Sequence, residues 1–233
     1  EKTHLLTSIY DPQRHFFEVS FLAHLLGTTR NPDMKAFLNE NPEYVVYGFC
    51  LGMQTMNVAA GGTLIQDIPL EVYGISFKED VLDLSPDNRH RNYQKRITYY
   101  DHLLSGNFHR VTIQSEAIAG KSYVNATPKV LSNHHQAVEK QGKSLKTAAL
   151  SEDEKITEAL VHSQFPHVLG VQFHPEPGYI YQQTQRFKYR LQDAFTSGPE
   201  ILQETESMGL LETFCPEITK SCSTINAKVA LCE

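Results

Sequence analysis

Two short stretches of the sequence carry side chains that could do covalent chemistry. The first, Gly48-Phe49-Cys50-Leu51-Gly52, sets a cysteine in a Gly-x-nucleophile-x-Gly spacing. A turn that lifts a nucleophile from the end of a strand onto the start of a helix is tight, and flanking side chains would collide with backbone, hence glycine on both sides. A sulfur placed there meets a helix N-terminus, where the dipole favours an anion. The amide of Leu51, left without an intrahelical acceptor, can donate to an oxyanion. The second stretch, Gly170-Val171-Gln172-Phe173-His174-Pro175-Glu176, ends an apolar run in histidine. A cysteine nucleophile needs an imidazole to hold and return a proton, and the imidazole needs a third group to fix its tautomer. Glu176 can be that group, with Pro175 stiffening the link. The residue types predict attack by Cys50, with His174 as base and then acid and Glu176 orienting it.

These residues must be positioned by regular elements. Tyr44-Val45-Val46-Tyr47-Gly48-Phe49 reads as a buried strand, and Leu51, Met53, Val58, Ala59 and Ala60 read as the helix after it, closed by Gly61-Gly62. Strand, sharp turn and helix in succession mark α/β architecture. Upstream, Phe17, Phe21, Leu22 and Leu25 recur at helical spacing before Gly27. Residues 66–109 read mostly as loop. Strands are expected at Phe108–Thr112, Pro128–Leu131, Leu145–Leu150, Ile156–His162 and His167–Phe173, as an antiparallel or mixed flank to the sheet. A final helix is expected over Tyr181–Phe195, burying Phe187, Leu191, Ala194 and Phe195, with residues 198–233 a tail of uncertain order beyond the 1–197 domain.

Together the motifs resemble the class I glutamine amidotransferase-like superfamily, in its γ-glutamyl-γ-aminobutyrate hydrolase-like branch, the C26 peptidases. Gly48 through Gln54, continuing through Asn57–Leu64 and Gln66-Asp67-Ile68, is similar to that branch's nucleophile segment. Asn133-His134-His135-Gln136-Ala137-Val138 is similar to its substrate-side loop, and Gly170–Glu176 to its His-x-Glu segment. The resemblance covers roughly residues 10–195. It implies a flavodoxin-like three-layer α/β sandwich with a mainly parallel central sheet. It also implies a catalytic set of Cys50, His174 and Glu176, with the Leu51 amide as one oxyanion donor. Gln54 would help hold the α-amino and α-carboxylate end of a γ-glutamyl group, and Asn133, His134, His135 and Gln136 would approach the same end. The branch has further strands upstream, including a glycine-rich loop supplying the second oxyanion amide. The sequence begins at Glu1, without Met, close to where that loop should end, so those residues are expected upstream of it.

The leading expectation is therefore a cysteine hydrolase cleaving γ-glutamyl amides through a γ-glutamyl thioester on Cys50, with a small-molecule substrate and no metal or organic cofactor. The alternatives are a glutaminase component that supplies ammonia to a partner synthase, and a non-catalytic member of the fold.

Composition bounds the remaining classes. The 233 residues carry 21 Lys+Arg against 27 Asp+Glu, a formal charge of −6, with no basic stripe, which argues against nucleic-acid binding. No apolar run reaches the roughly 18 residues of a membrane span. A cytoplasmic location is the expectation, and a homodimer the default from base rates. Cys215, Cys222 and Cys232 crowd the C-terminal end without a zinc spacing and read as reduced thiols. Among the 11 histidines, His134-His135 with His109 or His174 could be imagined as metal ligands. Adjacent side chains point apart on extended backbone, and no pair shows the i, i+4 helical spacing, so a metal set is not expected.

Overall fold

The computed structural model describes residues 11–98, 100–204 and 206–214. Helix α1 (Pro12–Leu26) starts at Asp11, whose side chain accepts from the Arg14 amide, and stops at Gly27 with φ 77°. Strand β1 (Val46–Phe49) leads through Cys50 into α2 (Leu51–Ala59). Next come β2 (Thr63–Ile65), α3 (Ile68–Tyr73), α4 (Tyr93–Thr98), β3 (Asn107–Ile113), α5 (Glu116–Ala119) and β4 (Lys129–Ser132). The chain continues through β5 (Ala137–Lys140), β6 (Leu145–Ser151), β7 (Thr157–His162), β8 (Val168–Val171) and α6 (Gly198–Ile201) to α7 at residues 206–214.

The strands join in the order β1-β8-β7-β6-β3-β4, with β2 on β5 and β5 on β7. The α/β class is present, and the sheet is mixed. Its parallel pairing among the described strands is β1 with β8, from Val46 opposite Val168 to Phe49 opposite Val171. The other named pairs are antiparallel. The expected mainly parallel character is thus confined to the nucleophile strand and its neighbour. Short turns, as between β6 and β7, reverse the chain, whereas parallel pairing needs a long crossover. The antiparallel flank read from the sequence is the part that dominates.

Three layers follow from where the strand side chains go. On one face, Leu25 and Leu26 of α1 and Met53 and Met56 of α2 pack with Val46, Leu145, Leu160 and Val168. On the other, Val111, Ala149, Ala159, Leu169 and Val171 pack with Ile118 of α5 and with Leu210 and Phe214 of α7. The alternation of Leu160 with Ala159, and of Val168 with Leu169, is the period-2 signature of a sheet covered on both sides. Each fully buried aliphatic side chain there contributes on the order of 1.5–3 kcal/mol.

Two expectations need correction. Residues 181–195 do not form a helix: Phe187 bridges Thr196, and Leu103 bridges Lys188. Phe187 and Tyr189 both join an aromatic cluster with Phe108, an i, i+2 pattern, while Leu191 and Phe195 stay exposed. Residues 66–109, read mostly as loop, contain α3 and α4. After residue 197, α6 starts at a Ser197–Glu200 capping box, and α7 buries Leu210, Leu211 and Phe214. Cys215, Cys222 and Cys232 lie outside the described residues.

Candidate active site

Cys50 stands at the sharp turn expected of it. Its φ is 49° and ψ −105°, a left-handed conformation that a side-chain-bearing residue adopts at a cost of order 1–3 kcal/mol and that is concentrated at functional sites. The strain is held by the sheet, because the Cys50 amide donates to the Val171 carbonyl at 2.8 Å. Gly48 is required: a Cβ there would lie 2.7 Å from the Gly52 carbonyl carbon and 2.8 Å from the Met53 nitrogen. Gly170 plays the same part on β8, where a Cβ would meet Met53 Cγ at 2.6 Å. Gly52 differs from the expectation. A Cβ there meets nothing within 4 Å and would point into a cleft of about 330 Å³ between α1, β1 and α2.

His174 follows β8, the strand beside β1, so the parallel pair sets the histidine next to the cysteine. Its backbone amide is anchored to the Leu131 carbonyl at 2.7 Å. Its Nδ1 lies 2.7 Å from Glu176 Oε1, which leaves Nε2 free to face the sulfur of Cys50. Partial burial opposes the charged ring, but the hydrogen bonds and charges of Cys50 and Glu176 outweigh it, and His174 is pushed up to about 10. For Glu176 burial raises and His174 lowers, and the net is a carboxyl held below its ordinary range. A thiol, an imidazole and a carboxylate thus stand in series, side chains that can serve acyl transfer as nucleophile, base and orienting group. Leu51 opens α2, and its amide has no helical acceptor.

The remaining candidates diverge. Gln54 is buried, and its Nε2 donates to the Gln136 carbonyl and to Gln172 Oε1, both at 3.0 Å, so it ties α2 to the 133–136 loop. Gln136 donates to Gln66 Oε1 at 3.0 Å, and Asn133 Oδ1 accepts from Arg96 at 3.5 Å. His135 Nδ1 faces Asp67 Oδ2 at 3.2 Å, while the other oxygen of Asp67 caps α3. Burial alone would raise Asp67, and these hydrogen bonds hold it below the ordinary range. His134 turns inward, to His90, His109 and Glu158. Burial outweighs the pull of neighbouring carboxylates and pushes His134 down to about 3, and His90 and His109 down to about 4. Those rings are neutral, and their approaches to Glu158 are not ion pairs.

Sequence reading missed His90 and Glu158. A signal was available for Glu158, which shares its strand face with Ile156 and Leu160, both fully buried. His109 likewise sits in phase with Val111 and Ile113. A polar residue in phase with the apolar side of a strand is held there by partners.

The α/β fold sets a cysteine elbow beside a His-x-Glu segment. The peptidase C26 family profile matches residues 34–176, more than half of the chain, and the chain belongs to that family. Relatives carry glutamine amidotransferase-like names. The protein RP404 of Rickettsia prowazekii is 32% identical over 149 residues, 56% of this chain and 53% of its own length. YvdE of Lactococcus lactis is 27% identical over 188 residues, 81% of this chain and 62% of its own. The chain thus spans little more than half of the curated relatives it matches. Among solved structures, a glutamine amidotransferase from Thermotoga maritima aligns at 12% identity with a TM-score of 0.43, covering 77% of this chain and 56% of that one. Among the described residues no helix is long and apolar enough to cross a membrane.

Proposed function

We propose that this protein is a cysteine hydrolase that cleaves γ-glutamyl amide bonds. The observation that carries the reading is Cys50 at a strained strand-to-helix turn, with His174 on the neighbouring strand's end and its Nδ1 2.7 Å from Glu176 Oε1. The sulfur of Cys50 attacks the γ-carbonyl carbon, and the carbonyl oxygen takes up the displaced electron pair facing the Leu51 amide. Collapse breaks the C–N bond, and His174 delivers its proton to the departing amine. Water then gives a proton to His174 and attacks the thioester, releasing glutamate and freeing the sulfur. Glu176 keeps the ring oriented through both steps. Family membership supports the γ-glutamyl side of the substrate.

The test is turnover by this protein of γ-glutamyl-γ-aminobutyrate, other γ-glutamyl amides and glutamine, reading released glutamate beside a Cys50→Ala control. Cleavage of the amides well above glutamine, abolished in the control, is the expected result. The names of the relatives favour one second reading, a glutaminase passing ammonia to a synthase, and turnover of glutamine alone would point to it. No turnover together with a Cys50 inert to iodoacetamide would sink both.

A further inference from the structure

Four side chains from four separate stretches meet in the interior: His90, His109 on β3, His134 and Glu158 on β7. All are buried, at 3%, 0%, 4% and 0% exposure. Each offers one nitrogen or oxygen, and these atoms lie within 4.8 Å of one another.

The ring protons are placed by carbonyl partners. A carbonyl oxygen only accepts, so His134 donates from Nδ1 to the Gln136 carbonyl at 2.9 Å, and His109 from Nδ1 to the Arg110 carbonyl at 3.1 Å. With its proton on Nδ1, His134 turns a bare Nε2 lone pair toward Glu158 Oε1 at 3.9 Å, and Nε2 of His109 stands at the same distance from that oxygen. Nitrogen lone pairs facing a carboxylate in a buried site leave acceptors without donors. Both nitrogens of His90, Nε2 of His134 and both oxygens of Glu158 make no hydrogen bond among the described residues. Nε2 of His109 shares its lone pair with the Ser132 hydroxyl at 2.8 Å.

We propose that this cluster is a structural site for one divalent cation of the zinc class, held by an imidazole nitrogen from each of His90, His109 and His134 and by a carboxylate oxygen of Glu158. Three nitrogen donors disfavour calcium and magnesium, which prefer all-oxygen sites. Four protein donors around a tetrahedral ion leave no open position, the mark of a structural site. Ligand atoms about 2 Å from such an ion stand about 3.4 Å from one another. Glu158 Oε1 lies 3.1, 3.9 and 3.9 Å from His90 Nδ1, His109 Nε2 and His134 Nε2, values that bracket that edge. Ring N–H groups of His109 and His134 tied to backbone carbonyls are the outer-shell support such ligands carry.

The ion would staple segments that border the candidate active site. The His134 amide donates to the His90 carbonyl at 3.0 Å, and the Gln172 amide, two residues before His174, donates to the Glu158 carbonyl at 2.8 Å. The Gln136 carbonyl that receives His134 also receives Gln54 of α2.

The experiment is metal analysis of the intact protein, untagged, as purified and after Zn(II) or Co(II) loading, for wild type, Cys50→Ala, His134→Gln and Glu158→Gln. About one equivalent per chain is expected in wild type and Cys50→Ala, with visible absorption bands from tetrahedral Co(II). Loss of most of that metal is expected from folded Glu158→Gln and His134→Gln. Should both variants fail to fold, the wild-type Co(II) spectrum and a rise in Tm on Zn(II) addition still decide. A wild-type protein that takes up no metal and shows no Tm shift overturns the proposal, leaving a water-bridged polar network. So does metal that vanishes in Cys50→Ala, or that persists in both folded cluster variants.

Discussion

His174 Nδ1 and Glu176 Oε1 lie 2.7 Å apart, although only Pro175 separates the two residues in the chain. The proline's fixed φ lets a side chain reach back to its near neighbour at little entropic cost. Because a carboxylate can only accept here, the bond requires the Nδ1 proton and presents Nε2 to Cys50. Glu176→Gln removes the charge and permits the wrong tautomer. We expect it to lower kcat by roughly 10²- to 10⁴-fold with a smaller change in KM, measured on whichever γ-glutamyl amide the intact enzyme turns over. A KM-only effect would place Glu176 in substrate binding instead.

The raised pKa of His174 carries a sign that can be checked. Its stabilising contribution is fully present below the ordinary histidine value of 6.5 and is lost as pH rises through about 10. The ring should therefore stay protonated across neutral pH in wild type. Cys50→Ala removes one of the two partners that raise it, so the imidazole titration followed by NMR should move down. An His174 that titrates near 6.5 in both proteins would contradict the pairing.

Gly48 and Gly52 flank the same cysteine but should respond oppositely to alanine. At Gly48 the new methyl meets backbone of α2 at 2.7 and 2.8 Å, which cannot yield without moving the helix. Overpacking of this kind costs about 1–3 kcal/mol or more, and the elbow should distort with loss of Cys50 reactivity. At Gly52 the methyl has room, and a helical alanine gains about 0.5–1 kcal/mol over glycine. Urea midpoints of the two variants, with iodoacetamide rates at Cys50, test the contrast.

The elbow was legible because its chemistry and sterics act over five consecutive residues, and strands β6 and β7 because each is a long run with apolar phase. Residues 181–195 misled because Phe187, Leu191 and Ala194 mimic a helical stripe, while the actual packing uses Phe187 and Tyr189 against Phe108. Gln54, which the resemblance matches to a γ-glutamyl contact, donates here to Gln136 and Gln172. That pairing depends on long-range strand placement, which local pattern does not encode. The same is true of His90, whose meeting with Glu158 is set by the path of the chain between α3 and β3.

Gln54 offers a direct test of coupling between α2 and the 133–136 loop. Gln54→Ala deletes the donor to the Gln136 carbonyl and to Gln172 Oε1, and leaves the latter buried. Leaving a buried acceptor unsatisfied costs about 1–3 kcal/mol. We expect a loss of that size in urea unfolding. A substitution that changes KM alone, with stability untouched, would favour direct substrate contact.

His162 should set part of the acid limb of stability. Its Nδ1 accepts from the amides of Gln164 and Phe165, both at 3.2 Å, and its ring stacks on Phe165 with centroids 4.4 Å apart. Burial, helped by the charge of Lys143, pushes it down to about 4 from the ordinary 6.5. Between those values the unfolded chain binds the proton and the folded chain does not, so stability falls as pH drops through this window. His162→Gln, which keeps an acceptor but cannot titrate, should flatten that part of the pH dependence relative to wild type. Chemical denaturation of both proteins at neutral pH and near the lower end of the window measures the difference. Equal slopes would show that Nδ1 is not the acceptor that closes the β7–β8 turn.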